Sequence, residues 1–142
     1  TMGWYSLELC AQLDAAIASV LAPERPPEEI YRLLGRASAA DNLGGAHRVF
    51  PRVGTPHGVL GRFPHVRAQY YTDGAATYEY VAAGRGRITV EGAASVTVAD
   101  CTSTAGYFEQ ALELAGGLDA QIDHHECILN GAARCRFECH WR

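Results

Sequence analysis

The chain of 142 residues contains no lysine. All 12 of its basic residues are arginine, and 16 acidic residues give it a formal net charge of −4. The absence of lysine excludes Schiff-base enzymes, P-loop nucleotide-binding proteins and any mechanism that requires a lysine general base. We attribute this absence to codon bias in a GC-rich bacterial genome rather than to function.

The sequence also lacks a basic run and a long apolar run. Neutralising phosphates requires clustered positive charge, so we expect no nucleic-acid partner. No apolar stretch reaches about 18 residues, which predicts no membrane span, and no signal peptide is visible. Five cysteines, an odd number without a signal peptide, favour a reducing cytoplasm over a disulfide scaffold. The length predicts one domain over residues 1–142.

The apolar residues follow a helical period first and a strand period later. Leu9, Leu13 and Ile17 form the stripe of a first helix capped by Ser6, and Pro27 begins a second helix. Residues 46–50 suggest one more helical turn, and the many glycines and prolines of residues 51–74 predict loops around a short helix.

A period of two begins near residue 76 and predicts two strands, which are followed by a helix over about 102–115 and by a final hairpin. This order of elements predicts an α+β fold. Its N-terminal helices pack on an antiparallel sheet, and the chain ends in a helix and a C-terminal β-hairpin.

The final hairpin gathers thiols and an imidazole. Residues directly opposite each other in the two strands lie on the same face of the sheet. The apolar residues of both strands therefore share a face only if the numbers of paired residues sum to an odd total. A total of 261 turns His124 inward and puts Cys127 beside Cys135. The helix that begins near Cys101 advances about 21 Å, and the next strand returns about 20 Å. Cys101 is therefore expected at the level of His124.

Together, Cys101, His124, Cys127 and Cys135 make a Cys3His set, which is a standard closed structural zinc site. Two alternatives remain open at this point. The thiols could simply pack in the core, or Cys127 and Cys135 could form a disulfide across the hairpin. The acidic and histidine residues at 123–126 suggest acid–base chemistry, but no spacing places a nucleophile beside them, and we assign no catalytic residue.

Aromatic and histidine side chains are frequent in and after the loop-rich region. We expect several of them to line a ligand pocket between the helices and the sheet. The alternative is that these rings only cap the core. The predicted ligand-binding residues are Phe63, His65, Tyr70, Tyr71, Tyr78 and Phe108.

The C-terminal third carries a recognisable pattern. Cys127, Gly131, Cys135 and Phe137 have the spacing Cys-x3-Gly-x3-Cys-x-Phe, and Trp141 follows them. This pattern resembles the 4-vinyl reductase domain, whose fold is shared with heme NO-binding domains and with TRAPP vesicle-tethering subunits. It is also similar to an uncharacterised family of myxobacteria. The resemblance covers residues 76–142 well and residues 27–75 loosely.

The resemblance implies a ligand-sensing module. In the activators of aromatic catabolism, the related domain binds a phenolic or aromatic effector and holds zinc through cysteine, glutamate, cysteine and cysteine. The matching positions here are Cys101, His124, Cys127 and Cys135, with histidine in place of the carboxylate. Heme NO-binding relatives use a proximal histidine and a Tyr-x-Ser-x-Arg motif, and the absence of that motif argues against heme.

We therefore expect a non-enzymatic domain that binds a small hydrophobic or aromatic molecule, holds structural zinc and forms a homodimer through its N-terminal helices. A TRAPP-like protein-interaction or dimerisation module without a ligand is the first alternative. An enzyme or a heme/NO-binding protein is the second.

Overall fold

A computed structural model describes residues 3–44 and 54–142. Two helices open the chain, α1 over Leu7–Leu21 and α2 over Pro27–Gly44. The side chain of Ser6 accepts a hydrogen bond from the backbone N–H of Leu9 and caps α1, as the sequence predicts. The helical turn predicted at residues 46–50 lies outside the described residues.

The third helix, α3, is longer than the sequence predicts. It spans Pro56–Tyr70, where loops around a short helix were expected, and it contains Pro64. The Thr55 side chain caps it, and Pro56 suits the first position of a helix. The burial of Val59, Leu60 and Val66 outweighs the lost proline hydrogen bond and the glycines, which explains the difference.

A four-stranded antiparallel sheet follows, with the order β1-β2-β4-β3. Its strands are β1 (Ala75–Ala82), β2 (Arg85–Glu91), β3 (Gln121–Glu126) and β4 (Arg134–His140). The register of β3 on β4 has the predicted total of 261 at Gln121, Ile122 and Asp123. It then slips by one residue, so that Glu126 lies opposite Arg136.

The last helix, α4, spans Val98–Leu114 and lies between the sheet and α2. On one side, its Phe108 packs edge-on against Phe137 of β4 with ring centroids 5.4 Å apart. On the other side, a Cβ at Gly35 of α2 would lie 1.8 Å from the backbone oxygen of Ser103, so only glycine permits this crossing. These elements form the predicted α+β fold.

Salt bridges fasten α2 to α4 along the same crossing. Arg32 donates to the Glu109 carboxylate from Nε at 3.0 Å, and Arg36 donates to Glu113 at 2.7 Å. Within the described ranges, no helix is long and apolar enough to cross a membrane.

Candidate metal centre and ligand cavity

The structure brings together the four residues of the predicted Cys3His set. The ligand atoms of Cys101, His124, Cys127 and Cys135 all lie within 4.8 Å of one another, and the three thiols are buried. The Cys127 Sγ atom lies 3.9 Å from that of Cys101 and 3.7 Å from that of Cys135. A tetrahedral zinc with Zn–S bonds of about 2.3 Å separates its sulfurs by about 3.8 Å, so this spacing suits the ion.

Each ligand is placed by a different local feature. Cys101 lies in the first turn of α4, and His124 stacks on Phe137 with ring centroids 4.1 Å apart. Because the register of β3 shifts by one residue, Glu126 lies on the outer side of the sheet, where it forms salt bridges with arginines. The next residue, Cys127, is buried. One turn of 3₁₀ helix (Ile128–Asn130) then leads to β4.

The chemistry of these donors favours a cation. The buried Nε2 atom of His124 has no hydrogen-bond partner among the described residues, and burial lowers the pKa of this ring, which favours its neutral, metal-binding form. Burial raises the pKa of the Cys101 and Cys135 thiols, which disfavours thiolates without a compensating charge. The N–H of Ile128 points at the Cys135 sulfur at 3.4 Å and would support its anionic form.

A cavity of about 370 Å³ opens among the four helices. Of the predicted ligand-binding residues, Phe63, Tyr70 and Tyr71 line it. The sequence did not single out the other lining residues that matter for the chemistry, which are Cys10 and Asp14 of α1, Ser38 of α2, Arg67 of α3, and Asp100, Thr104 and Tyr107 of α4. A signal was present, because Leu7, Cys10, Ala11 and Asp14 have the three-to-four-residue spacing of one helix face.

The structure places the other three predicted residues away from this cavity. His65 is exposed on α3, where it contacts Gln69. Tyr78 projects from β1 and hydrogen-bonds to His57. Phe108 is completely buried between α4 and the sheet. They miss the cavity because it lies among the helices rather than between the helices and the sheet.

The inner wall of the cavity holds a hydrogen-bonded group of charged and polar side chains. The Tyr71 hydroxyl donates to the Asp100 carboxylate at 2.6 Å, and the guanidinium of buried Arg67 lies 4.4 Å from the centre of the Tyr71 ring. Arg67 also donates to the backbone oxygens of Asp73 and Gly74. Burial raises the pKa of Asp100.

Asp100 links the cavity to the Cys3His cluster. It lines the cavity, and the next residue, Cys101, belongs to the Cys3His cluster. A smaller space of about 20 Å³ lies between the two sites, bounded by Tyr71, Asp100, Cys101 and Cys135 among others. The first turn of α4 therefore contributes to both sites.

The ionised side chain of Asp14 lowers the free energy of unfolding, and this effect can be measured. Partial burial and the charge of Asp100 raise its pKa above the ordinary 3.8, so the folded chain binds this proton more tightly than the unfolded chain does. Stability is therefore lost as pH rises through 3.8 and the raised value, and the full cost is present at pH 7. Since the side chain is only partly buried, solvent screens the repulsion, and the cost is about 0.5 kcal/mol.

We expect Asp14→Asn to raise Tm by about 2 °C at pH 7. The control, Glu8→Gln on the same helix, removes an exposed first-turn carboxylate that favours the helix dipole, and should lower Tm slightly. Differential scanning calorimetry measures both variants. A fall in Tm for both variants would contradict this account of the cavity.

Comparisons with known proteins relate the chain to others by structure alone. No family model matches the sequence, and no curated protein matches it. An H-NOX protein from S. oneidensis in the Fe(II)NO state aligns with a TM-score of 0.66 at 13% identity, over 99% of this chain and 78% of that one. The unliganded Fe(II) H-NOX protein from K. algicida aligns with a TM-score of 0.66 at 13% identity, over 99% of this chain and 76% of that one. A variant of T. Tengcongensis H-NOX aligns at 0.65 with 12% identity, over 99% and 76%.

These neighbours correct one expectation. The sequence argued against heme because the Tyr-x-Ser-x-Arg motif is absent, and that inference is wrong, since the structural neighbours are themselves heme-binding H-NOX domains. A short motif is a poor criterion when the fold is retained at 13% identity. The finer resemblance to 4-vinyl reductase and TRAPP proteins remains a prediction. What the comparisons show is that this chain has the H-NOX fold.

Proposed function

We propose that the chain is a single small-molecule-binding sensor domain with a structural zinc centre. The observation that carries this proposal is the cavity of about 370 Å³ among the helices, which has the size of a small-ligand site and an aromatic wall. Phe63, Tyr70 and Tyr71, which the sequence predicted as ligand-binding residues, lie in that wall. We assign no catalytic residue, and sensing requires none.

Zinc in this proposal is held by Cys101, His124, Cys127 and Cys135. Four protein ligands leave no open position for water, so the ion would stabilise the fold and not activate a substrate. It would join the start of α4 to the β3–β4 hairpin. The buried, unpartnered Nε2 atom of His124 supports this role.

The first turn of α4 belongs to both the cavity and the zinc centre, so it would transmit the effect of ligand binding from one to the other. A ligand that changes the position of Asp100 also acts on the backbone that carries Cys101. The cavity and the zinc centre would then report on each other through one short segment of helix. The relation to 4-vinyl reductase domains, which we also propose, rests on the sequence pattern of Cys127, Gly131, Cys135 and Phe137.

Ligand binding is tested by a thermal-shift screen against phenols and other small aromatic compounds. We expect at least one compound to raise Tm, and Ser38→Trp to abolish that rise by filling the cavity that Ser38 lines. Ala37→Trp is the matched control, because Ala37 is also exposed on α2 but does not line the cavity. A flat response across the panel would favour a TRAPP-like interaction module without a ligand, and a rise that survives Ser38→Trp would mean that the ligand binds outside this cavity.

Heme is the second candidate ligand, and the H-NOX fold favours it. Protein ligands of heme iron include histidine, cysteine, tyrosine and methionine. Among its described residues, the cavity wall offers Cys10 and four tyrosines but no histidine. Burial raises the pKa of Tyr71 and Tyr107, which opposes phenolate ligation, so Cys10 is the first residue to test.

Titration with hemin examines this candidate directly. For heme binding we expect a shifted, saturable Soret absorption band with one equivalent per chain. Cys10→Ala should move or abolish that band, whereas Cys139→Ala, a buried thiol that does not line the cavity, should not. A spectrum identical to that of free hemin would reject heme as the ligand.

We also propose a homodimer formed through the N-terminal helices. The exposed apolar side chains of α1 support it, because a face of this kind is typically covered in solution. These residues are Leu9, Leu13, Val20 and Leu21. Light scattering should give twice the chain mass.

We propose the reducing cytoplasm as the compartment of this protein, and its free thiols agree with that proposal.

A further inference from the structure

We propose that the cavity selects cationic ligands, specifically a protonated amine joined to an aromatic or similarly flat apolar group. This inference rests on the proposed function, since it names the chemical class that the sensor cavity accepts. It departs from the phenolic effectors that the resemblance implies. It follows from the charges and rings that line the cavity.

Carboxyl groups outnumber guanidinium groups in the lining of the cavity. Two carboxylates, Asp14 and Asp100, and one guanidinium, Arg67, line it. Arg67 acts on Asp100 electrostatically, and the Tyr71 hydroxyl donates to the same carboxylate. Arg67 is further engaged by two backbone oxygens and the Tyr71 ring. Asp100 therefore has its compensating partners within the protein.

Among the residues that the structure describes, Asp14 has no such partner. The charged group that acts on it is Asp100, which repels it, and among the described residues no arginine pairs with it. An unpaired carboxylate at the edge of a cavity attracts a cation and repels an anion. An ammonium group there would gain a charge-assisted hydrogen bond.

The aromatic rings of the cavity wall also attract cations. Tyr5, Tyr70 and Tyr107 line the cavity together with Phe63. The negative faces of such rings attract cations, and their area accommodates an apolar group. Carboxylate and rings together match a molecule with a positive head and an aromatic body.

Three probes of nearly equal size separate charge from shape. These are 2-phenylethylamine, which is protonated at pH 7, neutral 2-phenylethanol and anionic phenylacetate. Isothermal titration of the full chain should give the amine at least about tenfold tighter binding than the alcohol, with phenylacetate weakest. Asp14→Asn should remove most of the preference for the amine and leave the alcohol within about twofold, whereas Glu8→Gln should change neither.

The outcomes distinguish the two proposals. If the alcohol or phenylacetate binds as tightly as the amine, and Ser38→Trp abolishes that binding, the cavity is a ligand site but the inference about charge is wrong. A preference for the amine that persists in folded Asp14→Asn also overturns it. If no probe binds, or if binding survives Ser38→Trp, the proposed function itself fails.

Discussion

Cys135→Ala is expected to remove zinc from the purified chain and to lower Tm by about 12 °C. Cys135 is 1% exposed, and its sulfur lies 3.7 Å from that of Cys127. A structural zinc site contributes roughly 10–16 kcal/mol to the folding of a peptide that has no other core. This chain has its own core, so we expect a loss of about 4 kcal/mol, which corresponds to about 12 °C at this length.

The control is Cys139→Ala, the same substitution in a buried residue of the same strand. Cys139 is 0% exposed but does not belong to the Cys3His cluster. It should keep one zinc per chain and lose only about 1–2 kcal/mol from the lost packing. Elemental analysis and calorimetry measure both variants. Equal destabilisation with no zinc in either variant or in the parent would mean that the thiols are core residues alone.

Gly35→Ala is expected to lower the free energy of unfolding by at least about 3 kcal/mol, which corresponds to a fall in Tm of about 9 °C or more. A Cβ at this position would meet the backbone oxygen of Ser103 at 1.8 Å, and the backbone of α4 has no rotamer with which to move away. The crossing of α2 and α4 would have to open, which would disturb the cavity that Gly35 lines. Gly106 faces the same constraint from the backbone oxygen of Arg32 at 2.1 Å.

Gly44→Ala serves as the comparison for this effect. Gly44 is the last residue of α2, and an added Cβ meets nothing within 4 Å among the described residues. Alanine favours a helix over glycine by about 1 kcal/mol, so this variant should be neutral or slightly more stable. Urea denaturation measures both changes. A Gly35→Ala variant as stable as Gly44→Ala would show that α2 and α4 cross less closely than described.

The Cys3His cluster could be predicted because it depends on rules that hold locally. Strand parity and the rise per residue of a helix and a strand placed Cys101, His124, Cys127 and Cys135 at one level, and their ligand atoms lie within 4.8 Å of one another. The register slip before Glu126 could not be predicted, because a β-bulge depends on packing across the sheet. It left the inward direction of His124 unchanged.

The cavity was only partly predictable, for a different physical reason. Its walls come from four helices that are separated in sequence, and α3 was not recognised because Pro64 and the glycines resemble loop signals. Tertiary burial of Val59 and Leu60 overrides that local preference. Without α3 as a full helix, the meeting of Asp14 and Asp100 in one cavity cannot be anticipated from spacing.

The central claim, that the helices enclose a site for a small molecule, is tested most directly by NMR. Amide shifts of the nitrogen-15-labelled chain are followed while the three phenyl probes are added. We expect saturable shifts for at least one probe, concentrated at lining residues such as Asp14, Ser38 and Thr104, and absent in Ser38→Trp. Shifts scattered over the outer face of the sheet, or no shifts with any probe, would contradict it.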